Sequence, residues 1–228
     1  MLRFVIAIAF FCCTWQTADA AAKSTVSERI VAVKSDASVV LSASGNAAFS
    51  QVVLPDAALA QQWLAEHALQ REVTVTLAAE DRYGRPTIAG DITTEMLRDG
   101  VAVIYAAQAA IPEAWRAQER AARLAKRGVW RDENFVVRPE NAAQHKGRFV
   151  VFEGRVARVY ESKKATYINF GDDWRTDVSI TVPAGARRSM KPLLSTIREG
   201  SVVQARGVFY EENGPMLRLL KSDNLERR

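Results

Sequence analysis

The stretch Asp81-Arg82-Tyr83-Gly84-Arg85-Pro86, with Gln118-Glu119-Arg120-Ala121-Ala122-Arg123-Leu124-Ala125-Lys126-Arg127-Gly128-Val129-Trp130 further along, decides the fold. Gly84 and Pro86 mark a tight turn between two strand patterns, at residues 72–77 and 87–89. The second stretch is the end of a helix that Pro112 starts and Gly128 stops. Upstream, residues 28–41 read as a β-branched strand interrupted at Lys34-Ser35-Asp36, and Ser44-Gly45-Asn46 turns the chain into a strand at 49–54. Pro55-Asp56 opens an Ala- and Leu-rich helix reaching Leu69, with Asp56 as N-cap and Leu59, Trp63 and Leu64 on its buried side. A short helix at 93–99 ends at Gly100, and residues 101–105 supply another strand.

In this order, strands with one helix inserted and one appended, the chain resembles the staphylococcal nuclease (thermonuclease) family. The resemblance implies a small five-stranded barrel closed by a D-x-Y-G-R turn, with an A-x-x-x-x-x-G-x-W helix end packed on it. It also implies that Arg85 is delivered to a phosphate.

A site of that kind must neutralise charge on a phosphate, activate a water and hold the geometry. The family uses two arginines, a calcium held by aspartates, and a glutamate as general base. Arg85 matches the second arginine. The stretch matching the first, Ala48-Phe49-Ser50-Gln51-Val52-Val53-Leu54-Pro55-Asp56, has none, and no lysine or arginine lies between Lys34 and Arg71. Asp56 stands where the glutamate is expected, one methylene shorter. In Ser35-Asp36-Ala37-Ser38, Asp36 is the single carboxylate left of the family's D-G-D-T, which leaves a hard cation short of oxygen ligands. The expectation is a degenerate site, inactive or very weak, with no cofactor. The alternative is a divalent-metal-dependent nuclease, using Ca2+, with a rearranged site of Arg85, Asp36 and Asp56. Arg85 has a structural reading as well, bracing its loop against Asp81 or Glu80.

Arg116, Arg120, Arg123 and Arg127 recur at helical spacing as one basic stripe, read as a solvated face with Glu113 and Glu119 nearby. Ala114, Ala117, Ala121 and Leu124 are then the packing side.

Residues 134–146 are polar and contain Pro139, so the domain organisation reads as a nuclease-like domain at 21–138, a linker at 139–146 and a second domain at 147–228. The second domain shows strands at 149–160, 166–170 and 177–182, a helix at 188–197, and strands at 201–210 and 216–220 joined by Asn213-Gly214, a hairpin signal. That order is the order of an OB-fold. Gly154-Arg155-Val156 with Tyr167-Ile168-Asn169-Phe170-Gly171 resembles the OB module that follows some bacterial thermonuclease-like proteins. The fold class is therefore α+β, mainly β with helices: two tandem small β-barrels. On the second, Tyr167 and Trp174 are the expected stacking aromatics for single-stranded nucleic acid, while Phe170 and Ile168 lie on the other face of a regular strand. Arg155, Arg158, Lys163, Lys164 and Arg175 supply accompanying charge.

Residues 1–20 read as a secretory signal ending in Ala18-Asp19-Ala20, implying an exported, periplasmic or secreted, protein with no membrane-spanning segment after cleavage near Ala20. Both cysteines, Cys12 and Cys13, fall in that segment, which removes disulfides and thiol chemistry from the remainder. The net charge of +5 sits wholly after residue 146: fifteen Lys and Arg against ten Asp and Glu there, fifteen against fifteen over residues 21–146. A positive domain suits a polyanion, nucleic acid among them, and a protein partner is the other expectation. His67 and His145 lie far apart in the sequence and form no zinc or catalytic set.

Overall fold

A computed structural model describes residues 24–81, 83–107, 110–173 and 176–228. It is a mixed α+β protein whose two main sheets form separate bodies. The first body contains β1 (Ser24–Val33), β2 (Val39–Leu41), β3 (Gly45–Phe49), β4 (Val52–Val53), α1 (Ala57–His67), β5 (Glu72–Glu80), β6 (Pro86–Gly90), α2 (Asp91–Arg98), β7 (Val103–Ile104) and α3 (Glu113–Leu124). Strands β1, β2, β3, β6 and β5 pair in that order around a closed barrel, antiparallel except for β3 with β6.

Ile30, Val39, Leu41, Ala47 and Ile88 fill the barrel, and α1 and α2 cover it with Leu64, Ile92, Met96 and Leu97, all buried. Asp56 caps α1 as expected, its Oδ1 accepting from the Leu59 N–H at 3.0 Å. At the β2–β3 turn, buried Glu28 accepts from the Ser44 hydroxyl and from the Ala43 and Ser44 N–H groups. Burial pushes its carboxyl up, and these hydrogen bonds outweigh that push and hold it below the ordinary range.

The expected strand over 49–54 is instead two pieces. Gln51 adopts a left-handed φ of 62°, which turns the chain out of the barrel after β3 and lets β4 pair with β7.

The second body contains β8 (Val136–Val137), a 3-10 helix (Pro139–His145), β9 (Phe149–Arg155), β10 (Arg158–Glu161), β11 (Ala165–Asn169), β12 (Ser179–Pro183), α4 (Ala184–Leu194), β13 (Val202–Glu211), β14 (Pro215–Arg218) and β15 (Leu225–Arg227). Its eight-stranded sheet runs β10-β11-β12-β14-β13-β9-β8, with β15 also on β13. Among the described residues, no strand ladder closes this path. The chain passes directly from β9 to β10, where the Val156 N–H bonds to Ser201 O before β13 and the adjacent Ala157 N–H bonds to Asn169 O of β11. Phe152 and Phe209 anchor the core, with Phe170 set edge-on against Phe152 at 4.7 Å.

The expected linker is folded structure. Val137 and Ala142 are buried in the second core, so residues 136–145 pack with the second body. The helix expected at 188–197 lies at Ala184–Leu194, started by Pro183 immediately before it.

The packing side of α3 also differs from expectation. Trp115, Glu119 and Ala122 are buried, while Leu124 is 87% exposed. Val151 of β9 packs with Val103, Ala122 and Trp130, so the second body covers the face that carries Glu119, with Arg116 and Arg123 half-buried at its margin and Arg120 and Arg127 exposed. Among the described residues, no helix is long and apolar enough to cross a membrane.

Candidate nucleic-acid interface

At the tip of the β5–β6 hairpin, Asp81 organises the turn. Its Oδ1 accepts from the Tyr83 and Arg85 N–H groups at 2.8 and 3.0 Å, and Gly84 supplies the left-handed φ of 73°. Arg85 donates through Nε to Asp81 Oδ2 at 2.9 Å and through Nη1 to Asp36 Oδ2 at 2.8 Å, and its guanidinium lies 5.5 Å from the Tyr83 ring centroid. The brace expected from Asp81 is present, and its second arm is Asp36 rather than Glu80. Burial pushes the Asp81 carboxyl up, but the Arg85 and Tyr83 N–H groups and the guanidinium hold it below its usual range.

Asp36 is committed on both oxygens: Oδ1 accepts from the Ser38 hydroxyl and N–H at 2.6 and 3.0 Å, and Oδ2 accepts from Arg85. The Ser38 bonds first, and Arg85 after them, lower its pKa to about 2. Asp36 is thus a lone carboxylate already paired with a guanidinium, and among the described residues no group of three potential metal ligands gathers, so these residues do not fit a calcium ion. Asp56, the third member of the rearranged site, spends its Oδ1 on the α1 cap.

The second body presents a cleft of about 400 Å³. Its floor draws on two rows of cross-strand neighbours, all of the first row and the two tyrosines of the second. Arg158, Asn169, Ser179 and Met216 align across β10, β11, β12 and β14, and Tyr160, Tyr167, Thr181 and Arg218 form the parallel row two residues along. The Tyr160 and Tyr167 rings stand 6.3 Å apart and 25° from parallel. Ser162 of the β10–β11 turn and Glu212-Asn213 of the β13–β14 turn make the walls.

Of the sequence candidates, Arg158 and Tyr167 line this cleft. Lys163 and Lys164 are exposed beside it in the β10–β11 turn, and Lys164 N–H donates to Ser162 Oγ. Arg155 is exposed elsewhere on the sheet, donating to Gly200 O at 2.9 Å. Trp174 and Arg175 lie outside the described residues. Sequence reasoning missed Tyr160, Asn169 and Glu212. The Arg158-Val159-Tyr160 alternation puts Tyr160 on the face of Arg158, a signal available from the order of residues alone.

Arg116 and Arg123 of the α3 stripe are neutralised at the contact between the bodies, while Arg120 and Arg127 find their partners within the first body. Arg116 pairs with Asp223 and Glu226, Arg123 with Glu153 and Arg120 with Glu113, and Arg127 donates to Arg98 O. Glu119, expected on a solvated face, is buried and pairs with equally buried Arg206 at 2.7 Å. The Ile104 N–H donates to Glu119 Oε1, and Arg206 Nη1 donates to Ile104 O.

No curated protein matches the chain. Solved structures that resemble it include an OBody, AM1L10, bound to hen egg-white lysozyme, with 16% identity, a TM-score of 0.31, and 39% of this chain and 87% of that chain covered. The S. pombe Stn1–Ten1 complex gives 14% identity and a TM-score of 0.29, covering 35% of this chain and 57% of that one. Residues 42–132 match the family model described as Staphylococcal nuclease homologue, the match beginning immediately after β2, and they constitute a staphylococcal-nuclease-like domain.

Proposed function

We propose that this is an exported nuclease-like protein that binds single-stranded nucleic acid through the cleft of its second body and has little or no turnover at its first. The observation that carries the reading is the paired Tyr160 and Tyr167 on a sheet face walled by the β10–β11 and β13–β14 turns. Those are the surfaces through which OB-folds take oligonucleotides. The tyrosine faces offer stacking to any base, and Arg158, Lys163 and Lys164 offer charge to the backbone. The nuclease-like domain supports the same ligand class. Against turnover stand the missing first arginine and the commitment of Arg85 to two carboxylates, which a phosphate has to displace.

The test is fluorescence anisotropy of a labelled single-stranded thymidine oligomer with the purified protein over a salt series. Binding is expected to weaken with salt, as counterion release requires. Tyr160→Ala, at a half-exposed position, is expected to weaken it roughly five- to a hundred-fold. Salt-insensitive binding, or binding indifferent to Tyr160→Ala, overturns the assignment. Incubation with denatured DNA and calcium tests the other half: cleavage that disappears in Arg85→Ala establishes the nuclease instead.

A further inference from the structure

We infer that the cleft selects guanine over the other bases, using Glu212 and Arg158 together; this rests on the nucleic-acid reading of the same cleft. The tyrosine platform is tolerant of base identity, because every base has a π-face. The polar groups around it are not tolerant. Arg158 stands on β10 at one edge of the floor row, Glu212 stands in the turn beyond β14 at the other, and Asn169, Ser179 and Met216 lie between them. Among the described residues neither Arg158 nor Glu212 has an ion-pair partner. An unpaired carboxylate repels a phosphate, so it opposes a groove that merely follows the backbone. It favours a ligand that presents N–H donors.

Guanine presents two adjacent donors, N1–H and the 2-amino group, to match both oxygens of a carboxylate. Along its neighbouring edge, O6 and N7 accept from an arginine fork. Thymine shows one N–H flanked by two carbonyl oxygens, which face Glu212 with like charge. Adenine and cytosine each place a ring acceptor beside their amino group, so only one carboxylate oxygen is satisfied. The floor adds to the match: Ser179 Oγ donates to Asn169 Oδ1 at 2.9 Å, which leaves the Asn169 amide nitrogen as a donor for a base oxygen or ring nitrogen.

Glu212 is also held in place. The next two residues, Asn213 and Gly214, both have left-handed φ, 54° and 92°, and Gly214 lies so close to the Thr176 carbonyl that an added Cβ comes within 2.6 Å of its oxygen.

The experiment measures anisotropy with thymidine oligomers carrying guanosine, inosine, cytidine or thymidine at one central position, using the full chain and Glu212→Gln. Guanosine is expected to bind about tenfold tighter than thymidine. Inosine, which lacks the 2-amino group, is expected to lose most of that gain. In Glu212→Gln, guanosine and inosine are expected to bind alike, and the all-thymidine oligomer is expected to bind more tightly than it does to the unsubstituted chain, because the like charge facing it is gone. Equal affinity for all four oligomers, a preference for cytidine, or a guanosine preference that survives Glu212→Gln overturns the inference. Binding that responds to Tyr160→Ala while ignoring base identity refutes guanine selection alone. Absence of binding to every oligomer refutes the nucleic-acid reading and takes this inference with it.

Discussion

Arg85 shows how far a motif reaches and where it stops. The D-x-Y-G-R turn was readable because each residue does local work: Asp81 gathers two N–H groups, Gly84 takes the left-handed φ, and Arg85 returns to Asp81. The resemblance grouped Asp36 with Arg85 in one site as a metal ligand, but the direct ion pair between them, 49 positions apart, exists only once β1 and β2 are wound into the barrel. That contact changes the chemistry, turning a cation offered to phosphate into one already paired. It also makes a pH prediction. Asp36 has a folded pKa of about 2, below the unfolded value of ~3.9. The stability it contributes is therefore fully present above that unfolded value and is lost as the pH falls through about 2. The Ser38 hydroxyl is the largest cause, ahead of Arg85. In a carboxyl titration followed by NMR, Ser38→Ala is expected to raise the Asp36 pKa more than Arg85→Ala does. The reverse ranking means that the ion pair, and not the serine, holds the proton off.

Elements bounded by local signals were legible, and elements whose buried face depends on a distant partner were not. The Asn213-Gly214 signal correctly announced the β13–β14 hairpin, and Asp56 correctly announced the start of α1. On α3 the alanines and Leu124 made the more apolar stripe, yet the buried stripe is Trp115, Glu119 and Ala122. Helical periodicity identifies two faces, and the second body chooses between them by bringing Val151 and Arg206 to the polar one. Turn glycines give a test at this scale, because two of them share a backbone conformation and differ in surroundings. Gly45 has φ 70° and open space about its missing side chain, whereas Gly214 has φ 92° and a Cβ there meets the Thr176 and Asp177 carbonyls. Gly45→Ala is expected to cost about 1 kcal/mol, the strain of a left-handed alanine alone. Gly214→Ala is expected to cost more, roughly 2–4 kcal/mol, because backbone must also move. Urea denaturation of the two variants decides it, and equal costs mean that the backbone at Thr176-Asp177 yields freely to the hairpin.

Across the whole molecule, the composition counts charge along the chain and is silent about how the two bodies meet. Their contact is apolar around Val103, Ala122, Trp130 and Val151, and polar at Glu119, Arg206 and the C-terminal segment. Asn224 there forms a two-way amide bridge to the backbone of Ala106, with bonds of 2.7 and 3.0 Å. Glu119 and Arg206 lie 87 positions apart, and in the sequence each looks like one more surface charge. Buried together, they make removal of either partner costly, because the survivor is an uncompensated charge in a low-dielectric contact. Arg206→Met is expected to lower the unfolding free energy by about 3–5 kcal/mol, read from a urea midpoint. The double variant Arg206→Met with Glu119→Leu is expected to recover part of that loss, since no charge is then stranded. Recovery stays incomplete because the Ile104 N–H, which donates to Glu119 at 2.8 Å, loses its acceptor. A single variant that costs less than ~1 kcal/mol means that water reaches this pair and the two bodies are held by their apolar contact alone.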